Sequence, residues 1–219
     1  MKVLIVGAGV IGTIYGWAIS EGGHDVTHVV RRGRAAGLAN GVTLNMLDKR
    51  RGHKGEKIYH YNLKAAESLD SAGGFDIVIV PTHHYELIDA LKQFVPSAKA
   101  ADFVLLTQNW QGTAEVDSIL SPTRYVYGDA KAGGTFIDGV LVSTVSTIDV
   151  GQSGGRQDEC LGRAVALFES AGLSPRLQEN MLHYLWVQYA IAGGLWPALV
   201  RAGSFEAFLR DRHIGELAL

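Results

Sequence analysis

Three glycines near the amino terminus have the spacing G-x-G-x-x-G, in the run VGAGVIG at residues 6–12. In such a run Gly7 permits a tight turn, Gly9 leaves room for a ligand, and Gly12 lets a following helix approach the sheet. The backbone N–H groups that open this helix, including those of Val10 and Ile11, then point at phosphate oxygens. The pattern predicts a turn that binds a dinucleotide, and the alternative is a glycine-rich turn that binds nothing.

Two arginines, Arg31 and Arg32, follow the second apolar segment of the chain. At this position, NAD-binding proteins with such a turn typically have an acid that contacts a ribose hydroxyl. A guanidinium can instead pair with the extra phosphate of NADP, which a carboxylate would repel. The pair favours NADP(H) over NAD(H), and the alternative is that both side chains are solvated loop residues.

The elements that must position these residues alternate between short apolar runs and helical patterns. We predict strands at 2–6, 25–30, 75–80, 102–107, 124–128, 139–150 and 173–177. We predict helices at 10–21, through Leu87, Leu91 and Phe94, and at 156–170. This order predicts a Rossmann-type, doubly wound α/β fold with a mainly parallel sheet.

A long helical pattern at 179–200 follows, with Leu182, Leu185, Trp186 and Tyr189 expected on one apolar face. The change from alternating elements to one long helix predicts a domain boundary near residue 178. We therefore expect a Rossmann domain at 1–178 and a short, partial helical domain at 179–219.

Composition limits the remaining classes of function. The net charge is −2, which gives the whole chain no reason to seek nucleic acid or an anionic membrane. Residues 31–57 contain eight Lys or Arg against two acids, and we interpret 49–57 as a solvated loop rather than a ligand site.

No stretch of about 18 residues is apolar throughout, so we expect no membrane span. The single cysteine, Cys160, excludes an internal disulfide and a cysteine-built zinc site. It also fits the cytoplasm. We predict no metal site.

The chain resembles the ketopantoate reductase (2-dehydropantoate 2-reductase) family over essentially its whole length. The resemblance rests on the glycine turn, Arg31, the loop LTQNWQG at 106–112 with Asn109, and the helix with Leu185-Trp186 and the downstream Pro197. It implies a Rossmann domain joined to a helical domain, with the active site in the cleft between them. It also implies NADPH-dependent reduction of the keto group of a small 2-keto acid, as in pantothenate biosynthesis.

The resemblance also implies roles for single residues. Asn109 matches a loop asparagine that contacts cofactor and substrate, and the alternative is an asparagine that only forms a turn. His83 stands where the family commonly has a lysine that contacts the cofactor, and it could act as an acid or have no chemical role. Gln188 stands at the catalytic lysine of the family, and Ala192 at a nearby asparagine.

Hydride transfer to a ketone requires a donor to the oxygen, where negative charge develops. Glutamine can hold a carbonyl oxygen but cannot deliver a proton at useful pH. We therefore expect either a reductase with Asn109 and Gln188 in its catalytic site or a catalytically degenerate NADP(H)-binding protein.

Members of this family usually continue beyond the point where this chain stops. Residues 214–219 form an apolar helical pattern with no capping signal. Such an end would be exposed without a partner, so we expect a homodimer.

Overall fold

A computed structural model of the chain describes residues 1–53, 55–69, 74–98 and 100–210. The strands within these residues are β1 (Lys2–Val6), β2 (Asp25–Val29), β3 (Val42–Asp48), β4 (Glu56–Tyr61), β5 (Ala65–Ala66), β6 (Ile77–Val80), β7 (Asp102–Leu105), β8 (Tyr125–Ile137), β9 (Val140–Gly151) and β10 (Arg176–Leu177). The helices are α1 (Val10–Glu21), α2 (His84–Phe94), α3 (Ala114–Asp117), α4 (Glu159–Ser170), α5 (Met181–Ala202) and α6 (Phe205–Arg210).

The strands form one sheet in the order β4-β3-β9-β8-β7-β6-β1-β2-β5, with β10 paired to β9. Its centre is parallel, since β2, β1, β6, β7 and β8 pair side by side in one direction. Val3, Leu4 and Ile5 of β1 are completely buried, as expected of a strand covered on both faces. The predicted Rossmann-type fold with a mainly parallel sheet is confirmed.

Helices cover the two faces of this sheet with separate groups of apolar side chains. On one face, Tyr15 and Trp17 of α1 pack in one cluster with Phe168 of α4. On the other face, Leu91 of α2 and Leu185 of α5 belong to a second cluster. The two clusters therefore show the doubly wound arrangement that the sequence predicted.

The expectation of a solvated loop at 49–57 is wrong for Arg50, which is 3% exposed. Its guanidinium pairs with Asp48 at 2.9 Å, donates to the carbonyl oxygen of Ala171 at 2.8 Å and lies 4.3 Å from the centroid of the Trp17 ring. A charge can be buried when it is paired and hydrogen-bonded. The count of basic residues could not show this pairing, and it also missed the antiparallel pair β3–β4 that flanks the loop.

Other boundaries differ from the sequence-based prediction where tertiary pairing extends or shortens an element. β8 continues to Ile137 because it pairs with β9 as a long antiparallel hairpin. The strand expected at 173–177 is limited to the two residues of β10. α4 begins at Glu159, where the side chain of Asp158 accepts a hydrogen bond from the N–H of Leu161.

The expected apolar face of the last long helix is only partly buried. Leu185 is buried, whereas Trp186 and Tyr189 are 43% and 49% exposed. Residues 214–219, on which we based the expectation of a dimer, lie outside the described residues. Within the described ranges, no helix has the length and apolar character that a membrane span requires.

Candidate active site

The glycine turn lies between β1 and α1, as predicted. Gly7 has φ of +88°, a conformation that favours glycine, and its N–H donates to the carbonyl oxygen of Val29 at 2.7 Å. Gly9 is the N-cap of α1, and no side chain caps this helix or places an acid in its first turn. The N–H groups of the first turn therefore have no acceptor within the helix.

The space around the three glycines differs in a way that fits a bound pyrophosphate. A Cβ atom added at Gly7 or Gly9 would meet nothing within 4 Å. At Gly12 it would lie 3.2 Å from Ile5 and 3.3 Å from Pro81. Gly9 thus leaves the outer side of the turn open, and Gly12 permits close packing of helix and strand.

His28 of β2 supports this turn from within the protein, a contact that the sequence analysis missed. Its Nδ1 atom lies 2.8 Å from the carbonyl oxygen of Gly7, and its Nε2 atom lies 3.0 Å from the hydroxyl of Tyr61. Burial lowers the pKa of His28 to about 4, although the hydrogen bond to Gly7 opposes this shift. The ring is therefore neutral at pH 7, and only its position in a strand that the sequence predicts to be buried could have drawn attention to it.

Arg31 and Arg32 are exposed at the end of β2, where the sequence analysis expected them. Glu67, which follows β5, is a second residue that the analysis missed. Its carboxylate accepts a hydrogen bond from the N–H of Ala35 at 3.0 Å. Hydrogen bonds from the N–H groups of Ala35 and Gly33, together with the charge of Arg32, lower the pKa of Glu67. A negative charge therefore lies at the end of β2, although β2 itself ends without an acid.

Asn109 follows β7 and is only 2% exposed. Its Nδ2 atom donates to the carbonyl oxygen of Gly112 at 2.7 Å and to the hydroxyl of Tyr127 at 2.8 Å. Its Oδ1 atom accepts from the N–H of Gln111 at 3.0 Å. These bonds fix the shape of the loop, so a direct contact of this side chain with cofactor or substrate stays a prediction.

A cleft of about 310 Å³ lies between the start of α2 and the Asn109 loop. His84 lines it and its Nε2 atom lies 2.9 Å from the side-chain oxygen of Gln111. The preceding His83 is exposed and stacks on Tyr85 with 5.3 Å between the ring centroids. The structure thus places His83 after β6, at the N-cap of α2, and its role towards a cofactor stays a prediction.

The long helix α5 lies next to the Asn109 loop. The rings of Trp110 in the loop and Tyr189 in the helix stack with 6.4 Å between their centroids. Gln188, the neighbour of Tyr189, is half-buried, as is Ala192. The tertiary structure therefore brings the Asn109 loop next to α5, and a contact of Gln188 with a substrate stays a prediction.

A buried carboxylate ties the start of α5 to the sheet. The side chain of Asp149 in β9 is completely buried and accepts hydrogen bonds from Arg176, Gln178 and Tyr184 at 2.6–2.9 Å. Burial raises the pKa of Asp149, but these hydrogen bonds lower it more, so the carboxylate is charged. Across the described residues, no group of three or more His, Cys, Asp or Glu side chains could hold a metal ion.

Comparison with known proteins assigns this arrangement to a family. Residues 3–128 match the family model described as Ketopantoate reductase PanE/ApbA, which is more than half of the chain. The chain belongs to the ketopantoate reductase family. This confirms the resemblance drawn from the glycine turn and the Asn109 loop.

Two curated relatives are similar to most of this chain. The 2-dehydropantoate 2-reductase of Aquifex aeolicus is 29% identical over 197 residues, which cover 84% of this chain and 58% of that protein. The 2-dehydropantoate 2-reductase of Pyrococcus abyssi is 23% identical over 205 residues, which cover 90% of this chain and 63% of that protein. The chain therefore spans about three fifths of the length of these two ketopantoate reductases.

Solved structures share the fold. The 2-dehydropantoate 2-reductase of Geobacter metallireducens has a TM-score of 0.74 at 19% identity, covering 92% of this chain and 66% of that one. A D-mandelate dehydrogenase in complex with NADH and anilino(oxo)acetate has a TM-score of 0.69 at 16% identity, covering 92% and 64%. At these identities the likeness shows only that this chain shares their fold.

Proposed function

We propose that this chain binds NADP(H) and reduces the keto group of a small 2-keto acid by hydride transfer. The observation that carries the proposal is the uncapped N-terminus of α1 behind a turn whose outer side is open at Gly7 and Gly9. Membership of the ketopantoate reductase family supports it. Bound NADPH would supply the hydride.

The residues of the chain would bind the two ends of this cofactor. The N–H groups of Val10, Ile11 and Gly12 donate to the pyrophosphate. Arg31 and Arg32 pair with the phosphate on the adenosine side. At the other end, we propose that His83 and the Asn109 loop contact the cofactor.

Gln188 would orient the keto oxygen from α5. Because the curated relatives are named 2-dehydropantoate 2-reductases, 2-dehydropantoate is the first substrate to test. We further propose a cytoplasmic location, in keeping with the single cysteine. We also propose a homodimer, because Trp196, Val200 and other apolar side chains of α5 are exposed.

A second candidate function is that of an NADP(H)-binding protein without catalysis, such as a sensor. Two observations favour it. The side chain of Asn109 is fully engaged within its own loop. Gln188 has no charge with which to stabilise a developing alkoxide.

Titration of the protein with NADPH and with NADH, followed by nucleotide fluorescence, tests the cofactor proposal. Wild type should bind NADPH more tightly than NADH. Arg31→Gln should weaken NADPH binding by about tenfold or more, since a charge-assisted hydrogen bond is lost, and leave NADH binding nearly unchanged. Arg34→Gln, a neighbouring exposed arginine, is the matched control. Equal affinity of wild type for the two nucleotides would overturn the arginine argument.

Oxidation of NADPH with a panel of 2-keto acids, beginning with 2-dehydropantoate, separates the two functions. Turnover by the wild type supports the reductase. If NADPH binds well but neither wild type nor Gln188→Lys turns over any keto acid, the non-catalytic function is supported instead.

A further inference from the structure

A lysine outside α5 lies near the face of that helix which includes Gln188. The ammonium of Lys131 in β8 is 5.4 Å from the centroid of the Tyr184 ring. Tyr184 and Gln188 are four residues apart, so they lie on the same face of the helix, one turn from each other. Lys131 therefore brings a positive charge to the helix face that includes the neutral Gln188.

Lys131 also shares a face of β8 with the side chain that holds the Asn109 loop. Lys131 contacts Tyr184, which packs against the same apolar cluster as Tyr127, so both side chains lie on one side of β8. The hydroxyl of Tyr127 accepts from Asn109, and Trp110 stacks on Tyr189. β8, the Asn109 loop and α5 are therefore neighbours in the structure.

The surroundings of Lys131 keep its ammonium charged and leave it accessible. It donates to Asp129 and lies 3.4 Å from Asp149, while its side chain is 26% exposed. Burial lowers the pKa of Lys131, but hydrogen bonds with Asp129 and Tyr184 raise it more, so the net shift is upward. An ammonium has three N–H donors, so the hydrogen bonds with Asp129 and Tyr184 leave one donor, 3.4 Å from Asp149, that can turn towards a ligand.

We propose that Lys131 is the cationic donor to the keto oxygen of the substrate; this rests on the proposed reductase function. When a hydride reaches the keto carbon, its electron pair forms the new C–H bond. The π pair of the carbonyl bond then moves to the oxygen. The oxygen then takes a proton from the Lys131 ammonium, and the resulting amine regains a proton from water. Asp129 and Asp149 stabilise the ammonium between turnovers, and Gln188 helps to orient the carbonyl group.

The inference can be tested with oxamate, an unreactive mimic of a 2-keto acid, added to the NADPH-saturated protein. Calorimetry should show that Lys131→Gln weakens oxamate binding about tenfold or more while the affinity for NADPH changes less than about twofold. Lys131→Arg should restore part of the oxamate affinity because it keeps the charge. Lys64→Gln, an exposed lysine paired with Asp25, is the control and should bind oxamate as wild type does.

Activity gives a second measurement. With a keto acid that the wild type reduces, Lys131→Gln should lower kcat more than it raises KM, because the interaction strengthens as the oxygen becomes charged. If Lys131→Gln does not fold, ¹³C-methylation of the lysines in the wild type replaces the variant. Oxamate should then shift the resonance of Lys131, assigned by its absence in Lys131→Arg.

The outcomes separate this inference from the proposed function. A wild type that does not bind NADPH overturns both. A wild type that binds NADPH but not oxamate overturns the keto-acid site at Lys131 and leaves cofactor binding in place. Unchanged oxamate affinity in folded Lys131→Gln, or no shift of the Lys131 resonance, overturns the inference alone.

Discussion

The Nδ1 atom of His28 lies 2.8 Å from the carbonyl oxygen of Gly7, so a side chain of β2 supports the glycine turn. The Nε2 atom of the same ring lies 3.0 Å from the hydroxyl of Tyr61 at the end of β4. At pH 7 Nδ1–H donates to Gly7, and Nε2 accepts from Tyr61. This arrangement requires a neutral ring, which links the geometry of the turn to pH.

We expect the free energy of unfolding to fall as the pH decreases from about 6.5 to about 4. Burial lowers the pKa of His28 from 6.5 to about 4 in the folded protein, so in this range only the unfolded chain binds a proton there. Stability rises with pH wherever the unfolded state binds more protons, so the contribution is lost as the pH falls. At about 1.4 kcal/mol per pKa unit, the complete loss is about 3 kcal/mol. Urea unfolding at about pH 7 and pH 4.5 measures it.

The matched variants for this prediction are His28→Gln and His60→Gln, the latter an exposed histidine on β4. His28→Gln should flatten the dependence of stability on pH, and His60→Gln should leave it as in wild type. The same decrease in wild type and His28→Gln would show that other groups cause it.

Gly9→Ala should separate cofactor binding from folding. The φ of Gly9 is −77°, and a Cβ there would meet nothing within 4 Å, so we expect a free energy of unfolding within about 1 kcal/mol of wild type. The added methyl group should nevertheless weaken NADPH binding about tenfold or more, since it occupies the phosphate side of the turn.

Gly12→Ala is the contrasting variant in the same turn. Its Cβ would lie 3.2 Å from Ile5 and 3.3 Å from Pro81, so overpacking should destabilise the fold by about 1–3 kcal/mol. Thermal unfolding and nucleotide titration of both variants check these expectations. Undiminished NADPH binding by Gly9→Ala would contradict a pyrophosphate at this turn.

Glu67→Gln should increase the affinity for NADPH by about two- to fivefold, with a smaller change for NADH. The carboxylate of Glu67 accepts from Ala35 and lies near Arg32, where it repels a phosphate on the adenosine side. The effect is modest because exposed charges are screened by solvent. Fluorescence titration at low and high salt measures it, with Glu56→Gln as the control. Weaker NADPH binding by Glu67→Gln would show instead that the carboxylate orders the loop for the cofactor.

Arg50→Met should lower the free energy of unfolding by about 3–5 kcal/mol, because it leaves the buried carboxylate of Asp48 without its partner. The double variant Asp48→Leu with Arg50→Met should lose less than the single one. Lys64→Met breaks the exposed pair with Asp25 and should change stability by no more than about 1 kcal/mol. Urea unfolding of the three proteins checks this, and equal losses for Arg50→Met and Lys64→Met would refute the buried pair.

Local spacing was sufficient to predict the elements that build the parallel centre of the sheet. The glycine turn, β1, α1 and the Asn109 loop were all located from the sequence, and their order predicted the fold. Such features can be predicted because turn formation and burial of short apolar runs depend on residues close together in the chain. The same spacing carried the family resemblance that the comparison confirmed.

Only the tertiary structure decided which polar groups meet. Arg50 meets Ala171, His28 meets Tyr61, and Lys131 meets Tyr184, each across separate segments of the chain. No local pattern encodes these contacts, because each depends on strand pairing or helix docking between distant segments. The burial of Arg50, His28 and Lys131 was therefore fixed by the packing of the whole sheet and its helices, although the ion-pair partners Asp48 and Asp129 lie only two residues away in sequence from Arg50 and Lys131.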